Sequence, residues 1–272
     1  MSMVKDLTLT AVVENSASME NPDLVAQHGL SLLLSIDVTD SEKMNILMDT
    51  GPNPNTILHN IDTMKTDLGI VDIVLLSHGH YDHTGGLMGV LRRLGKKIPI
   101  IAHPNIFEPK LKIKPYLKYI GSPFTPSAIK AVGGIMLCAK NPVKLAEGVM
   151  TSGEVERVTV FEKTEGFYTI MEGKFVEDHL PDDQALAIHI DGKGLAVISG
   201  CAHSGIINTI RHTQKVTGVN DIYAIVGGFH LEKARDEHMS SAVEDLRKVN
   251  PKVIAPCHCT GSKGVKMLTE AF

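Results

Sequence analysis

Ser77-His78-Gly79-His80-Tyr81-Asp82-His83-Thr84-Gly85-Gly86 places four side chains able to bind a metal, His78, His80, Asp82 and His83, within six residues. The stretch follows Ile73-Val74-Leu75-Leu76, an apolar run of the kind a fully buried strand shows, and leads into Gly86-Leu87, where a helix can start. The four side chains are therefore expected on the turn at the C-terminal end of a strand. Imidazole and carboxylate together suit zinc, iron or manganese. A histidine-rich surface turn is the plain alternative, and the density of ligands directly after a buried strand weighs against it.

Composition narrows the function classes. Hydrophobic residues at 43% and charged residues at 21% of 272 residues are ordinary for a globular chain with a sizeable core. A net charge of -4, no long basic run and no Trp argue against a nucleic-acid partner. No apolar stretch reaches the length of a membrane span. Met1-Ser2-Met3-Val4-Lys5-Asp6 lacks the layout of a signal peptide, and the four cysteines, Cys138, Cys201, Cys257 and Cys259, are too sparse for a disulfide framework. A reducing, cytoplasmic setting is expected.

Working outward, residues 7–15 and 29–37 read as strands, separated by a polar loop at 16–28 that is longer than a hairpin requires. A third strand at 44–48 ends in Asp49-Thr50-Gly51. A helix is expected at 55–68, with Ile57, Leu58, Ile61, Met64 and Leu68 on one face. The motif strand, a helix to about residue 94 and a strand at 98–102 follow, an alternation that suits a layered α/β fold. Residues 104–150 break the rhythm with six prolines, interspersed with Lys110, Lys112, Lys114 and Lys118. The expectation is one domain over 1–272 with an insertion of short helices around 104–150. That insertion is either a lid whose lysines meet an anionic substrate or a solvated charged face. Strands resume at 157–163, 167–171, 184–190 and 195–199, followed by a helix at 205–216, a strand at 222–226, a helix at 239–249 and a last strand at 252–256.

Three of these later strands run into turns bearing histidine: Gly200-Cys201-Ala202-His203-Ser204-Gly205, Gly227-Gly228-Phe229-His230-Leu231 and Cys257-His258-Cys259-Thr260-Gly261. Functional sites of layered folds assemble at strand ends, so the recurrence points to one metal site built from both halves of the chain.

The His-x-His-x-Asp-His pattern resembles the signature of the metallo-β-lactamase superfamily, which implies an α/β fold of αββα type, two sheets face to face with helices outside. Asp49-Thr50-Gly51, the SGCAHSG stretch with Asn208-Thr209, GGFHL, CHCTG, Val13-Glu14-Asn15 and His28-Gly29-Leu30-Ser31 are similar to one branch of it. Members of that branch are described as similar to the dihydropterin–ribofuranosylaminobenzene phosphate synthase of methanopterin biosynthesis. The resemblance implies one or two divalent ions, zinc before iron or manganese, in a binuclear site. His78 and His80 would hold the first ion with a further histidine; Asp82, His83 and His258 would hold the second; Asp49 would support a metal-binding histidine from behind. The bridging carboxylate of hydrolytic members is replaced, since Gly200 is followed by Cys201.

Two histidines compete to complete the first group. His179 opens His179-Leu180-Pro181-Asp182-Asp183-Gln184, whose spacing to the next strand resembles the third-histidine stretch of other superfamily members. His203 lies on a Gly-flanked turn between an apolar strand and a helix and is preferred, with Cys201 third. The expected activity is that of a metal-dependent hydrolase acting on a phosphate- or diphosphate-bearing, anionic small molecule, with Asp82 and His230 as catalytic candidates and His230 contacting substrate. The alternative is a transferase condensing a pterin-methyl diphosphate with an arylamine. A non-catalytic, metal-dependent ligand-binding protein is a further alternative.

Overall fold

The computed structural model describes residues 3–272; Met1 and Ser2, the start of the segment read for a signal peptide, lie outside the described residues. The first half contains β1 (Asp6–Val13), β2 (Ser31–Asp37), β3 (Lys43–Met48), α1 (Pro54–Thr63), β4 (Ile73–Leu75), α2 (Tyr81–Thr84), α3 (Leu87–Leu94) and β5 (Ile98–Ala102). A middle segment supplies β6 (Leu111–Lys112), β7 (Lys118–Tyr119), α4 (Pro126–Ala131), β8 (Gly134–Cys138), β9 (Lys144–Ala146), β10 (Val149–Thr151), β11 (Tyr168–Met171) and β12 (Lys174–Glu177). The remainder forms β13 (Ala185–Ile190), β14 (Gly194–Ser199), α5 (Ile206–Thr217), β15 (Ile222–Gly228), α6 (Asp236–Val249), β16 (Val253–Cys257) and α7 (Gly261–Ala271).

Two six-stranded sheets result, ordered β1-β2-β3-β4-β5-β8 and β16-β15-β14-β13-β10-β9. Side-chain alternation explains why they stack. On β2, Leu32, Leu34 and Ile36 join a core shared with Leu186 and Ile188 of β13 and Ile198 of β14, while Leu33 turns outward to the helices. On β14, Ala196 and Ile198 face the other sheet, and Leu195 and Val197 pack towards α5 and α6. Three cores therefore lie in series: helices α1, α3 and α4 on the first sheet, sheet on sheet, and the second sheet on α5, α6 and α7. This is the αββα sandwich. No helix among the described residues is long and apolar enough to cross a membrane.

The middle segment departs from the expected run of short helices. Its β8 is the edge strand of the first sheet, β9 and β10 extend the second, and β6 and β7 join β11 and β12 in a small separate sheet. Residues 157–163, expected as a strand, form an irregular loop because their polar groups serve α5: Glu162 accepts from the amides of Ile207 and Asn208, and Asn208 Oδ1 accepts from the amides of Val158 and Thr159. The helix expected to reach residue 68 stops at Thr63, and a 3-10 turn covers Leu68–Ile70. Strand β12 and helix α7 carry weak apolar patterns and are additions to the sequence reading.

Parallel strands β3, β4 and β5 in one sheet, and β14, β15 and β16 in the other, direct their C-terminal ends to one edge of the sandwich. The turn after β4 is locked there by close backbone approach. A Cβ on Gly85 would lie 2.0 Å from the carbonyl oxygen of Pro52, on the turn that follows β3. Gly85→Ala is expected to cost about 1–3 kcal/mol through overpacking against rigid backbone, read as a lower urea midpoint with an unchanged slope.

Candidate metal centre

His78 and His80 flank Gly79 at the end of β4, and Gly79 is held from below. Its amide donates to Asp182 Oδ2 at 2.7 Å, and a Cβ there would lie 2.3 Å from the Ile106 carbonyl oxygen. Asp182 is balanced by the buried Lys110, whose Nζ lies 2.8 Å from Asp182 Oδ1 and 3.3 Å from Asp178 Oδ2. Burial works against this ammonium, but the two carboxylates outweigh it and raise its pKa. Lys110 is therefore a structural cation beneath the site, which corrects its sequence reading as a lysine free to meet substrate. A charged group so buried is tolerated because both of its anionic partners are buried with it.

One ring nitrogen each of His78, His80 and His203 lies within 4.8 Å of the others, and His78 Nε2 faces His80 Nδ1 at 2.9 Å. Burial holds all three imidazoles well below their ordinary pKa, so they are neutral and can offer lone pairs. Both nitrogens of His203 and Nε2 of His80 are buried without a protein hydrogen-bond partner. Orphaned buried acceptors of this kind are costly unless something outside the protein binds them, and a divalent ion fits. The turn that carries His203 is fastened by Asp183, which accepts from the Ser204 amide at 2.8 Å. Burial raises the Asp183 carboxyl to about 6, against the lowering effect of the Ser204 and His203 amides. His179 is elsewhere: it is exposed, its carbonyl accepts from Arg157, and it joins none of the ligand groups found among the described residues.

Beside the first group, His83 groups with His78 and Cys201, and Asp82 with His28 and His258, so the expected trio Asp82, His83 and His258 is divided between two adjoining groups. His83 Nε2 is 3.1 Å from His258 Nε2 and 3.1 Å from Cys201 Sγ, and His258 Nε2 is 3.6 Å from Asp82 Oδ2. His83 Nδ1 donates to Asp49 Oδ2 at 2.7 Å, which turns its other nitrogen towards the group. Burial lowers the His83 pKa, but the charge and hydrogen bond of Asp49 prevail and lift it to about 9. His258 is oriented by residues 14 and 15: its amide donates to Glu14 Oε1 at 2.7 Å, and its Nδ1 meets Asn15 Oδ1 at 2.9 Å. Burial pulls His258 down to about 4, so it too is neutral. Burial raises the Asp82 carboxyl, yet the His28 hydrogen bond and the neighbouring imidazoles outweigh it and leave the pKa lowered.

The structure brings further side chains to the site, among them His28, Cys259 and Phe167, to which the sequence assigned no role there. His28, from the long loop before β2, reaches Asp82 Oδ2 at 3.2 Å and joins Asp82 and His258 in a possible ligand group. Cys259 and Cys201 form another group with His230. Burial opposes a Cys259 thiolate, but hydrogen bonds with Cys201 and His230 outweigh it and lower its pKa; burial pushes Cys201 up. Phe167 stacks on His80, with ring centroids 5.1 Å apart. Nothing in the spacing of His28, Asp183 or Phe167 announces these contacts, because each crosses between distant elements. His230 lies on the same floor, its ring centroid 4.2 Å from that of His203 and its Nδ1 buried without a partner.

These groups open into a cleft of about 520 Å³ whose wall includes Lys112, Lys114, Lys118 and Lys233. The four ammonium groups outnumber the carboxylates of Asp82, Glu165 and Glu232 on the same lining, and the excess favours an anionic ligand.

Comparison with known proteins agrees with this geometry. The β-lactamase superfamily domain matches residues 44–137. The chain is 36% identical to the 7,8-dihydropterin-6-methyl-4-(β-D-ribofuranosyl)-aminobenzene-5′-phosphate synthase of Methanocaldococcus jannaschii, over 99% of this chain and 92% of that one. It is 33% identical to an uncharacterized protein of the same archaeon, over 95% of this chain and 93% of the other. A solved structure described as a metal-dependent hydrolase of the β-lactamase superfamily superposes with a TM-score of 0.81 at 25% identity, covering 98% of this chain and 93% of that one.

Replacing a direct ligand should weaken metal binding more than replacing a group behind it. His203→Ala is expected to lose metal under conditions where His179→Ala retains parental content by elemental analysis. Asp49→Asn is expected to weaken metal affinity about 10–100-fold, measured by competition with a chromophoric chelator. Parental metal content in His203→Ala alongside loss in His179→Ala would reverse the assignment of the third histidine.

Proposed function

Because this chain belongs to the metallo-β-lactamase superfamily and stands close to the dihydropterin–ribofuranosylaminobenzene phosphate synthase, we propose that it condenses a pterin-methyl diphosphate with an arylamine and releases diphosphate. Of the reactions expected from the sequence, this transferase reading has the closer relative behind it, at 36% identity over nearly the whole chain. Hydrolysis, the leading expectation, has the structural neighbour at 25% identity. The observation that carries the proposal is the cleft over the histidine groups, whose four lysines outnumber its carboxylates and suit a multiply charged leaving group.

In the reaction proposed, the bond between the pterin methylene carbon and the diphosphate oxygen breaks, and its electron pair leaves with diphosphate. The arylamine nitrogen forms the new C–N bond with its lone pair and gives up one proton. Ions held by His78, His80 and His203, and by Asp82, His83 and His258, would supply Lewis-acid charge for the departing diphosphate. Lys112, Lys114 and Lys118 bind and orient the diphosphate from the opposite wall of the cleft. His230, with its buried and unpartnered Nδ1, is positioned to contact the substrate and take the amine proton. Phe167 closes the site against water beside His80. Cys201, in the place of the bridging carboxylate of hydrolytic members, fits a reaction whose nucleophile is the second substrate.

The expected outcome is arylamine-dependent release of diphosphate by the metal-loaded protein, with the conjugate identified by mass spectrometry. Lys112→Ala with Lys118→Ala should lower kcat/KM for the diphosphate ester about tenfold or more, while His230→Ala should act mainly on kcat. Diphosphate or phosphate release at full rate without arylamine would favour hydrolysis instead.

A further inference from the structure

His203 and His230 stand on a wall shared by two cavities. One is the lysine-lined cleft; the other, of about 480 Å³, opens between the 157–163 loop and α6. The two differ in chemistry. The second cavity has aromatic surface from Phe161, Phe229 and His238, with His238 packed edge-on to Phe161 at a centroid distance of 5.6 Å. Its charges cancel, Lys163, Lys233 and Arg235 against Glu162, Glu165 and Glu237, whereas the cleft, which shares Lys233 and Glu165 with it, keeps an excess of ammonium over carboxylate. A diphosphate has little reason to enter it, whereas a flat, uncharged aromatic ring does.

The chemistry of the condensation asks for such a second chamber. A nucleophile displacing diphosphate in line approaches the methylene carbon from the side opposite the leaving group. Two substrates entering one cleft from the same side cannot meet in that geometry; two cavities meeting at one wall can supply it. At that wall His203 is almost fully buried, and neither ring nitrogen has a protein partner. Only one of them can face His78 and His80, which leaves the second as an unmet hydrogen-bonding atom behind the wall that both cavities share. The buried, unpartnered Nδ1 of His230 is at the same junction.

We propose that the cavity between the 157–163 loop and α6 is the acceptor site, binding a primary aromatic amine with its ring against Phe161, Phe229 and His238 and its amino nitrogen at His203 and His230. The pterin diphosphate then occupies the lysine-lined cleft, and the wall between the cavities is where the C–N bond forms. This assignment rests on the condensation reading and adds to it which substrate enters which cavity. It also gives the irregular 157–163 loop a role in selecting the acceptor.

The test uses the metal-loaded full chain with two probes, inorganic diphosphate and aniline as an uncharged primary aromatic amine, titrated separately and together by calorimetry. Both are expected to bind at once, each with an affinity within about twofold of its value alone. Ser241→Phe, which fills the cavity from α6, should raise the arylamine Kd and KM about tenfold and leave diphosphate affinity unchanged; His238→Ala should do the same more mildly without adding bulk. Lys112→Ala with Lys118→Ala should show the converse pattern. Competition between the two probes, or parental arylamine binding in both Ser241→Phe and His238→Ala, overturns the acceptor site. If those variants still condense the substrates with parental constants, the reaction stands and only the placement falls. A parent protein that forms no conjugate takes both down.

Discussion

The carboxylate of Asp49 holds the site together. It is fully buried, and it accepts from the Ser77 amide at 2.8 Å, the Ser77 hydroxyl at 2.6 Å and His83 Nδ1 at 2.7 Å. The backbone of the same residue donates to the Leu75 carbonyl and accepts from the Ser31 hydroxyl, so one position joins the ends of β2, β3 and β4. Asp49 adopts φ 60, a left-handed conformation that ends its strand and aims the side chain under the motif. A buried anion is stable only when its oxygens are satisfied, and here satisfying them sets the direction of His83 and the path of the chain into His78. The electrostatic requirement of one residue thereby becomes the geometry of two ligand groups.

The second half of the chain meets this support at very short range. Gly200 ends β14 where a Cβ would lie 2.0 Å from Ser77 Oγ and 3.0 Å from Asp49 Oδ2, so only glycine admits the approach that brings Cys201 to His83. From that point the turn continues to His203 and is tied down by Asp183. The histidine that faces His78 and His80 thus comes from the turn after β14, while the acidic pair before β13 holds the backbone: Asp182 under Gly79 and Asp183 under Ser204. Thiol groups at Cys201 and Cys259 add soft donors to a centre otherwise made of imidazole and carboxylate.

Around this rigid floor the upper walls are built from exposed, locally folded pieces. The small sheet of β6, β7, β11 and β12 brings Lys112 and Lys118 above the histidines, and the turn before β11 brings Phe167 against them. The 157–163 loop and α6 form the other wall. The histidine-bearing turns are thus fixed by the packed sheets, and the walls of both cavities lie on elements outside the cores.

Much of the fold was legible in local pattern. The two-residue alternation of β2 and β14, and the apolar run before Ser77, mark strands because backbone geometry gives them that period. The density of ligand residues after β4 marks the centre, and histidines at three later strand ends show that both halves serve it. The resemblance carried by Asp49-Thr50-Gly51 and the His-x-His-x-Asp-His stretch points to the αββα sandwich. Other features have no local signature, since they depend on residues far apart in the chain. Lys110 looks like any surface lysine until Asp178 and Asp182 close over it; His28 lies in a loop whose course sequence spacing does not encode; residues 157–163 carry a strand-like pattern but are drawn away by the amides at the start of α5. The position of His203 beside His78 and His80, with His179 exposed elsewhere, belongs with these. Residue types and local periodicity determined which elements form and where ligands gather. Tertiary structure alone decided which imidazoles face one another, because that depends on how two sheets stack and how closely Gly200 lets them approach.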